Sequence, residues 1–252
     1  MHESIAEHYE NLARDYDGNW EHSAEYVMWM NGLIAGTLDV RPGERVADIG
    51  GGTGIFQRGL LPAVSTDTPL LCVDPSPHML EQVPEDPRVR TVQAGAEDVA
   101  TGRVRLPYER LDALLVKETV HHVVDVAGTV RSLADLLAPG GRLLIISLPP
   151  KLDYPLFQAA LHRFAENHPE PDAIADAMRA GNLDTTLQYH DYQVTVDREH
   201  YVRLVRDNKW MSVLSTFTEE ELDAGVAEMR ANHPEETLRF TDRFAFVLGK
   251  RN

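Results

Sequence analysis

Residues 46–55 read VADIGGGTGI: a short apolar segment with one acid, Asp48, runs into four glycines broken only by Thr53. A strand that ends in glycines lets the backbone come close to a nucleotide-like ligand, and the glycine spacing separates ligand classes. A dinucleotide turn needs GxGxxG or GxGxxA, because the third small residue lets helix and strand pack closely. No register here supplies it. After Gly50 and Gly52 the third position is Ile55, after Gly52 and Gly54 it is Gln57, and Gly51 meets Thr53 at the second position. The loop has instead the form acid-x-Gly-x-Gly-x-Gly, on Asp48, Gly50, Gly52 and Gly54. A GxxxxGK[ST] phosphate loop is also missing.

Outward from this stretch, short apolar runs alternate with helical spacers: RVADI, LLCVD, RVRTVQ, DALLVKE and RLLIISL. Near-continuous Val, Leu and Ile runs are strands buried on both faces, which places them in a mostly parallel sheet. Ser76 and Pro77 start a crossover helix as N-cap and first-turn proline, and residues 126–137 form another that stops at APGG. The fold class that follows is α/β, an open, doubly wound sheet. Before it, helical periodicity covers 2–16, with Ile5, Tyr9, Leu12 and Tyr16, and 23–38, with Val27, Met30, Ile34 and Leu38. Between them YDGNWEH puts Tyr16, Trp20 and His22 on or near a loop. After Pro149 the pattern predicts helices over 154–166 and 171–180, a strand around QYHDYQVTV, and a helix from Asp197 toward Asn208. Thr218 and Glu221 form a capping box for a helix reaching about Asn232, and FTDRFAFVLGK alternates as an antiparallel edge strand.

Composition narrows the function. The 252 residues can bury a substantial core, and no apolar run is long enough to span a bilayer. The N-terminal MHESIAEHYENL carries acids where a signal peptide needs a basic start, so a cytoplasmic location is expected. A formal charge of −16, from 40 acids against 24 bases, repels a phosphate backbone, so neither nucleic acid nor membrane is expected as a partner. The single cysteine, Cys72, leaves only His and carboxylate ligands for any metal. His121 and His122 are adjacent on a segment expected to be extended, where neighbouring side chains point apart, so no metal site is expected.

With these residues in view, the chain resembles the class I S-adenosylmethionine-dependent methyltransferases. VADIGGGTG matches the family's first motif, and Asp74 in LLCVDPS looks like the strand-ending acid that binds the ribose hydroxyls, about 20 residues after the glycines. QAGAEDV is similar to the third motif, with Gly95 where the family often has an Asp, which moves adenine recognition to Glu97, Asp98 or backbone groups. LDALLVKETVHHVVD resembles the fourth region. The resemblance implies a Rossmann-like, seven-stranded sheet with S-adenosyl-L-methionine held by Asp48, Gly50, Gly52, Gly54, Asp74, Pro75, Met79, Ala96, Glu97, Lys117 and His122. Asp48 and the neighbourhood of Lys117 can receive the amino group, and Tyr16 can cover the cofactor. It divides the chain into an N-terminal helical lid (1–40), a cofactor-binding core (41–150), a helical substrate-capping insert (151–187) and C-terminal strands and helices that complete the sheet (188–252).

The implied reaction is methyl transfer to a small-molecule acceptor, a metabolite or natural product with an aromatic or apolar body, on carbon or oxygen. A sulfonium already makes its methyl electrophilic, so the protein mainly aligns a nucleophile and excludes water. Where a proton must leave, Glu118, His121, Tyr16 and His22 are the candidate bases. Tyr9, Trp20, His22, Tyr26, His190 and Trp210 are the candidate acceptor contacts. Each of these aromatics and histidines can equally be a core or capping residue. Two other readings stay open: an enzyme of this fold that catalyses a non-methylating reaction such as cyclisation, and a nicotinamide oxidoreductase, which the glycine spacing disfavours. Oligomeric state is also open, with a homodimer the commonest assembly of soluble enzymes.

Overall fold

The computed structural model describes residues 23–207 and 211–252. Helix α1 (Ala24–Leu38) starts at Ser23, whose hydroxyl accepts the Tyr26 N–H, and ends on Asp39 in the left-handed conformation. Then follow β1 (Val46–Ile49), β2 (Leu70–Asp74), α2 (Pro77–Glu81), β3 (Val89–Gln93), α3 (Ala96–Ala100), β4 (Leu111–Lys117), α4 (Val126–Asp135) and β5 (Leu137–Ser147). The chain closes with α5 (Gln158–Asn167), α6 (Pro171–Ala180), β6 (Leu183–Asp197), α7 (Arg198–Arg206), α8 (Glu219–Asn232) and β7 (Thr237–Arg251). The strands make one seven-stranded sheet in the order β3-β2-β1-β4-β5-β7-β6, parallel except for β7, which runs antiparallel to both its neighbours.

Continuous apolar runs are buried on both faces here because alternate residues feed two separate cores. Val46, Ala113 and Leu115 pack with α1 on one face, while Ala47, Ile49, Leu114 and Val116 pack with α4 and α6 on the other. Two arginines lock the margins of the central strands. Arg45 holds Asp112 through its backbone N–H and its guanidinium, and Arg142 on β5 donates to the Leu38 and Asp39 carbonyls and pairs with Glu44, tying the end of α1 to the sheet.

The mostly parallel, doubly wound sheet, the Ser76 cap, α6 and the Thr218/Glu221 capping box follow the sequence expectations. Three details differ. The helix expected from residue 154 begins at Gln158, because Tyr154 precedes Pro155 and is held out of helical geometry; Tyr154, Leu156 and Phe157 are buried in non-helical backbone instead. The APGG segment lies inside β5, where Gly140 takes φ +76° and the pairing register shifts between Leu111 and Ala113. The final strand is not at the edge: β6 pairs along its full length from Leu183 to Asp197, so β7 is internal and β6 is the border.

Within 151–187, α6 packs against α4, β6 and β7, with Ile174, Ala175 and Met178 fully buried in the second core. Helix α5 contributes Ala160 and Phe164 to the first core. The expected helix 2–16 and the YDGNWEH loop lie outside the described residues.

Candidate functional site

The sheet order places β1 between β2 and β4, so the chain winds outward from β1 in both directions and a crevice opens at its carboxyl end. A cleft of about 570 Å³ occupies that crevice. Its lining runs from the glycine turn through the ends of β2 and β4 to the starts of α2 and α3.

The glycine turn is held from below. The N–H groups of Gly50 and Gly51 both donate to the Val73 carbonyl (2.7 and 3.0 Å), and Gly54 donates to the Gly51 carbonyl (2.9 Å). Gly50, Gly52 and Gly54 all adopt positive φ, the conformation that favours glycine. Their surroundings differ. A Cβ on Gly50 would lie 2.0 Å from the Thr119 hydroxyl oxygen, whereas one on Gly52 would meet open space. Asp74 secures the turn from β2: one carboxylate oxygen accepts the Gly52 N–H and the other the Ser76 N–H, both at 2.9 Å. The residue chosen as a ribose ligand thus also shapes the loop.

Burial dominates the electrostatics. The Asp48 carboxyl, 2% exposed, is pushed up to about 7 by desolvation and by the Asp74 charge, with Lys117 acting against the shift. Asp74 is also raised by burial, offset by the two backbone N–H groups it accepts. Lys117 ends β4 with its ammonium 4.2 Å from the centre of the Phe56 ring and 5.4 Å from that of Phe244, two cation–π contacts at the base of the cleft. Glu118 follows at φ +48°, a strained conformation for a non-glycine residue; its N–H donates to the Ile146 carbonyl and its Oε1 accepts the Leu148 N–H (2.8 Å each).

The cleft brings together most of the expected cofactor residues: Asp48, Gly50, Gly52, Asp74, Pro75, Met79, Ala96, Glu97, Lys117 and His122 all line it, and so does Glu118. Gly54 does not; it sits beneath the turn against the Gln57 side chain. Of the adenine candidates, Glu97 accepts the Val124 N–H (3.0 Å) and Asp98 accepts the Gly95 N–H (3.1 Å), so both also order the rim. Tyr26 lies off the cleft in a ring cluster with Trp29, Phe56, Tyr192 and Phe244, and His190 packs edge-on to Phe246 on β7. Tyr9, Tyr16, Trp20, His22 and Trp210 lie outside the described residues.

His121 sits beside the lining, and here the sequence reading needs correction. Residues 120–122 form a 3₁₀ turn, not an extended segment, and the rings of His121 and His122 lie 3.9 Å apart. His168, at the end of α5, stacks on His121 at 4.2 Å. Nothing in the sequence marked His168, nor Thr119 beneath Gly50, because both contacts arise only when separate elements pack. Burial lowers the His168 pKa to about 4, opposed by its contact with the Phe164 carbonyl and assisted by His122; burial also lowers His121 strongly, with His122, His168 and Lys117 adding to it.

A depressed histidine pKa has a definite sign. The unfolded state binds the proton below its ordinary value of 6.5 and the folded state does not until about 4, so stability falls as pH drops through that window. For His168 the loss should reach about 3 kcal/mol by pH 4, with His121 adding to it. Urea unfolding between pH 4 and 7 measures this. An identical pH slope in wild type and His168→Gln would contradict it.

Comparison with known proteins gives the same picture. Residues 47–143 match a family model described as a methyltransferase domain. The chain is 28% identical over 171 residues to the ubiquinone/menaquinone biosynthesis C-methyltransferase UbiE of Vibrio campbellii, an alignment covering 60% of each protein. It is 35% identical over 116 residues to an uncharacterized 37.1 kDa protein in transposon TN4556 of Streptomyces fradiae, covering 45% of this chain and 32% of that protein. The chain therefore spans between a third and three-fifths of the length of these two curated relatives. Among solved structures, the YcgJ protein of Bacillus subtilis superposes with a TM-score of 0.62 at 18% identity, over 89% of this chain and 99% of that one, a likeness of fold. With the acid-and-glycine turn, the strand-ending Asp74 and the sheet order in place, residues 47–143 form a methyltransferase domain, and the chain is similar to the class I S-adenosylmethionine-dependent methyltransferases.

Proposed function

We propose that the protein transfers the methyl group of S-adenosylmethionine to a small-molecule acceptor, on carbon or oxygen. One observation carries this reading beyond the family resemblance: among the described residues, five acids (Asp48, Asp74, Glu97, Asp98, Glu118) against two cationic side chains (Arg103, Lys117) line the cleft, and Arg103 is paired with Asp98 at 3.2 Å. Such a lining suits a ligand carrying an ammonium and a sulfonium better than a diphosphate. The open space at Gly52 beside the buried Asp74 fits the adenosyl part of the cofactor.

When bound, S-adenosylmethionine supplies a methyl carbon already activated for attack. The chain's own residues then bind and orient. Asp74 offers carboxylate lone pairs to ribose hydroxyls while it keeps Gly52 in place, and Asp48 supplies negative charge for the amino group. Met79 and Ala96 contribute apolar walls that exclude water. Glu118 lines the cleft at the end of β4, with His121 beside it, where an acceptor proton would be received, and the aromatics outside the described residues remain the candidate acceptor contacts. An aromatic or apolar acceptor and a cytoplasmic setting belong to the same reading; no helix among the described residues is long and apolar enough to cross a membrane. Homodimerisation is left to sedimentation.

Calorimetry with S-adenosylhomocysteine tests the site. Wild type should bind, and Asp74→Ala should lose about 10- to 100-fold in affinity through the lost charged hydrogen bonds, with the fold retained by circular dichroism. Unchanged affinity in the variant, or tight binding of a pyridine dinucleotide in place of the adenosyl ligand, would remove the reading. Mass spectrometry with a labelled methyl donor separates transfer from cyclisation.

A further inference from the structure

One ligand atom each from Glu118, His121 and His168 lies within 4.8 Å of the other two, the three coming from the end of β4, the turn after it and the end of α5. We propose that these three side chains form a binding site for a divalent first-row transition-metal ion, of the zinc or ferrous class, beside the cofactor cleft. Two imidazoles and one carboxylate are donors that such ions accept, with solvent completing the coordination. No thiolate is needed, which matters in a chain whose one cysteine is buried elsewhere.

Three observations point to a ligand. The Nδ1 of His121 is enclosed and has no hydrogen-bond partner among the described residues, a costly condition that a metal bond at that nitrogen would relieve. The Nδ1 of His168 lies 3.0 Å from the Phe164 carbonyl, which can only accept, so Nδ1 carries the proton and Nε2 keeps its lone pair; outer-shell carbonyls orient metal-binding imidazoles in this way. The ring is further held by stacking on Phe164 at 3.5 Å. Finally, Glu118 is kept at φ +48°, with Oε1 fixed by the Leu148 N–H, the kind of local strain that persists where neighbouring structure imposes it.

The geometry is close to that required. Ligands about 2.1 Å from a tetrahedral ion are roughly 3.4 Å apart, so the donors need to close by about 1 Å or a little more, within reach of small side-chain rotations. The Lys117 ammonium opposes a second cation, and the Glu118 carboxylate offsets it. His122, whose ring touches that of His121, borders the site without belonging to the three. The site stands on its own residues and does not depend on methyl transfer.

The test uses the full chain, freed of metal by chelation and titrated with cobalt(II) chloride while the visible d–d band is followed. One equivalent should bind with an intense, low-symmetry spectrum, and His168→Gln should weaken binding by at least about 100-fold, more than the loss of an outer-shell partner costs. Should that variant misfold, wild-type crystals soaked in cobalt should give an anomalous difference peak between the three side chains. A titration unchanged in a folded His168→Gln variant, or an anomalous peak only at surface histidines, overturns the site. S-adenosylhomocysteine calorimetry on the same protein reads the cofactor cleft separately, so failure of one reading is distinguishable from failure of the other.

Discussion

Asp48→Asn is expected to stabilise the ligand-free protein at pH 8 by an amount on the order of 4 kcal/mol while weakening its hold on the cofactor. The carboxyl is buried beneath the glycine turn, beside Asp74, and its pKa lies near 7 in place of 3.8. A raised carboxyl pKa means that the folded state holds a proton the unfolded chain has released. Stability from this group is therefore complete below pH 3.8 and drains away as pH rises to about 7. At about 1.4 kcal/mol per pH unit the span gives the stated figure, and an asparagine of the same shape carries no charge to bury. Wild type and variant should thus converge in urea stability near pH 4 and diverge toward pH 8. Such a buried acid persists, on our reading, because a bound cation favours its ionised form. Cofactor binding near pH 7 should accordingly release a proton, and wild-type affinity should fall on acidification to pH 6 while that of Asp48→Asn, already weaker, should not. Parallel stability curves for the two proteins, or cofactor affinity equal in both, would refute the assignment.

Gly50→Ala should cost about 3 kcal/mol of stability and remove cofactor binding within the range of ordinary titration. Two independent costs add. A Cβ at φ +75° is strained by roughly 1 to 2 kcal/mol, and it would sit 2.0 Å from the Thr119 hydroxyl oxygen. Thr119 cannot easily yield, because its hydroxyl is bonded to the Lys117 carbonyl at 2.9 Å. The turn would have to lift instead, breaking the bonds of Gly50 and Gly51 to the Val73 carbonyl and moving the floor of the cleft. Adding Thr119→Gly should recover the part due to collision and leave the part due to backbone strain. Equal melting temperatures for wild type and Gly50→Ala would show that the turn is not held as described.

The same turn shows how far the primary structure reaches. Asp48, Gly50 and Gly52 could be placed in a cleft from spacing alone because β1 and the turn are contiguous, and a strand entering glycines has few conformations open to it. Asp74 was legible for a similar reason: it ends an apolar run at the distance one crossover requires. Helices α6 and α8 carried their own start signals, Pro171 at the first turn and the Thr218/Glu221 box, so their first residues could be read locally. The hairpin was harder. An alternating strand looks the same whether one edge or both are paired, and only the full-length pairing of β6 puts β7 inside the sheet.

What the linear order of residues determined by itself was the sheet class, the glycine turn and the acids at the ends of β1 and β2, because each is written in contacts a few residues long or in hydrophobic period. Only the tertiary structure decided that Thr119 lies beneath Gly50, that Lys117 rests on Phe56 and Phe244, and that His168 meets His121 and Glu118. Those contacts join elements far apart in the chain, and their distances depend on how helices settle on the sheet. No periodicity or motif encodes that settling: it follows from the packing of two cores at once.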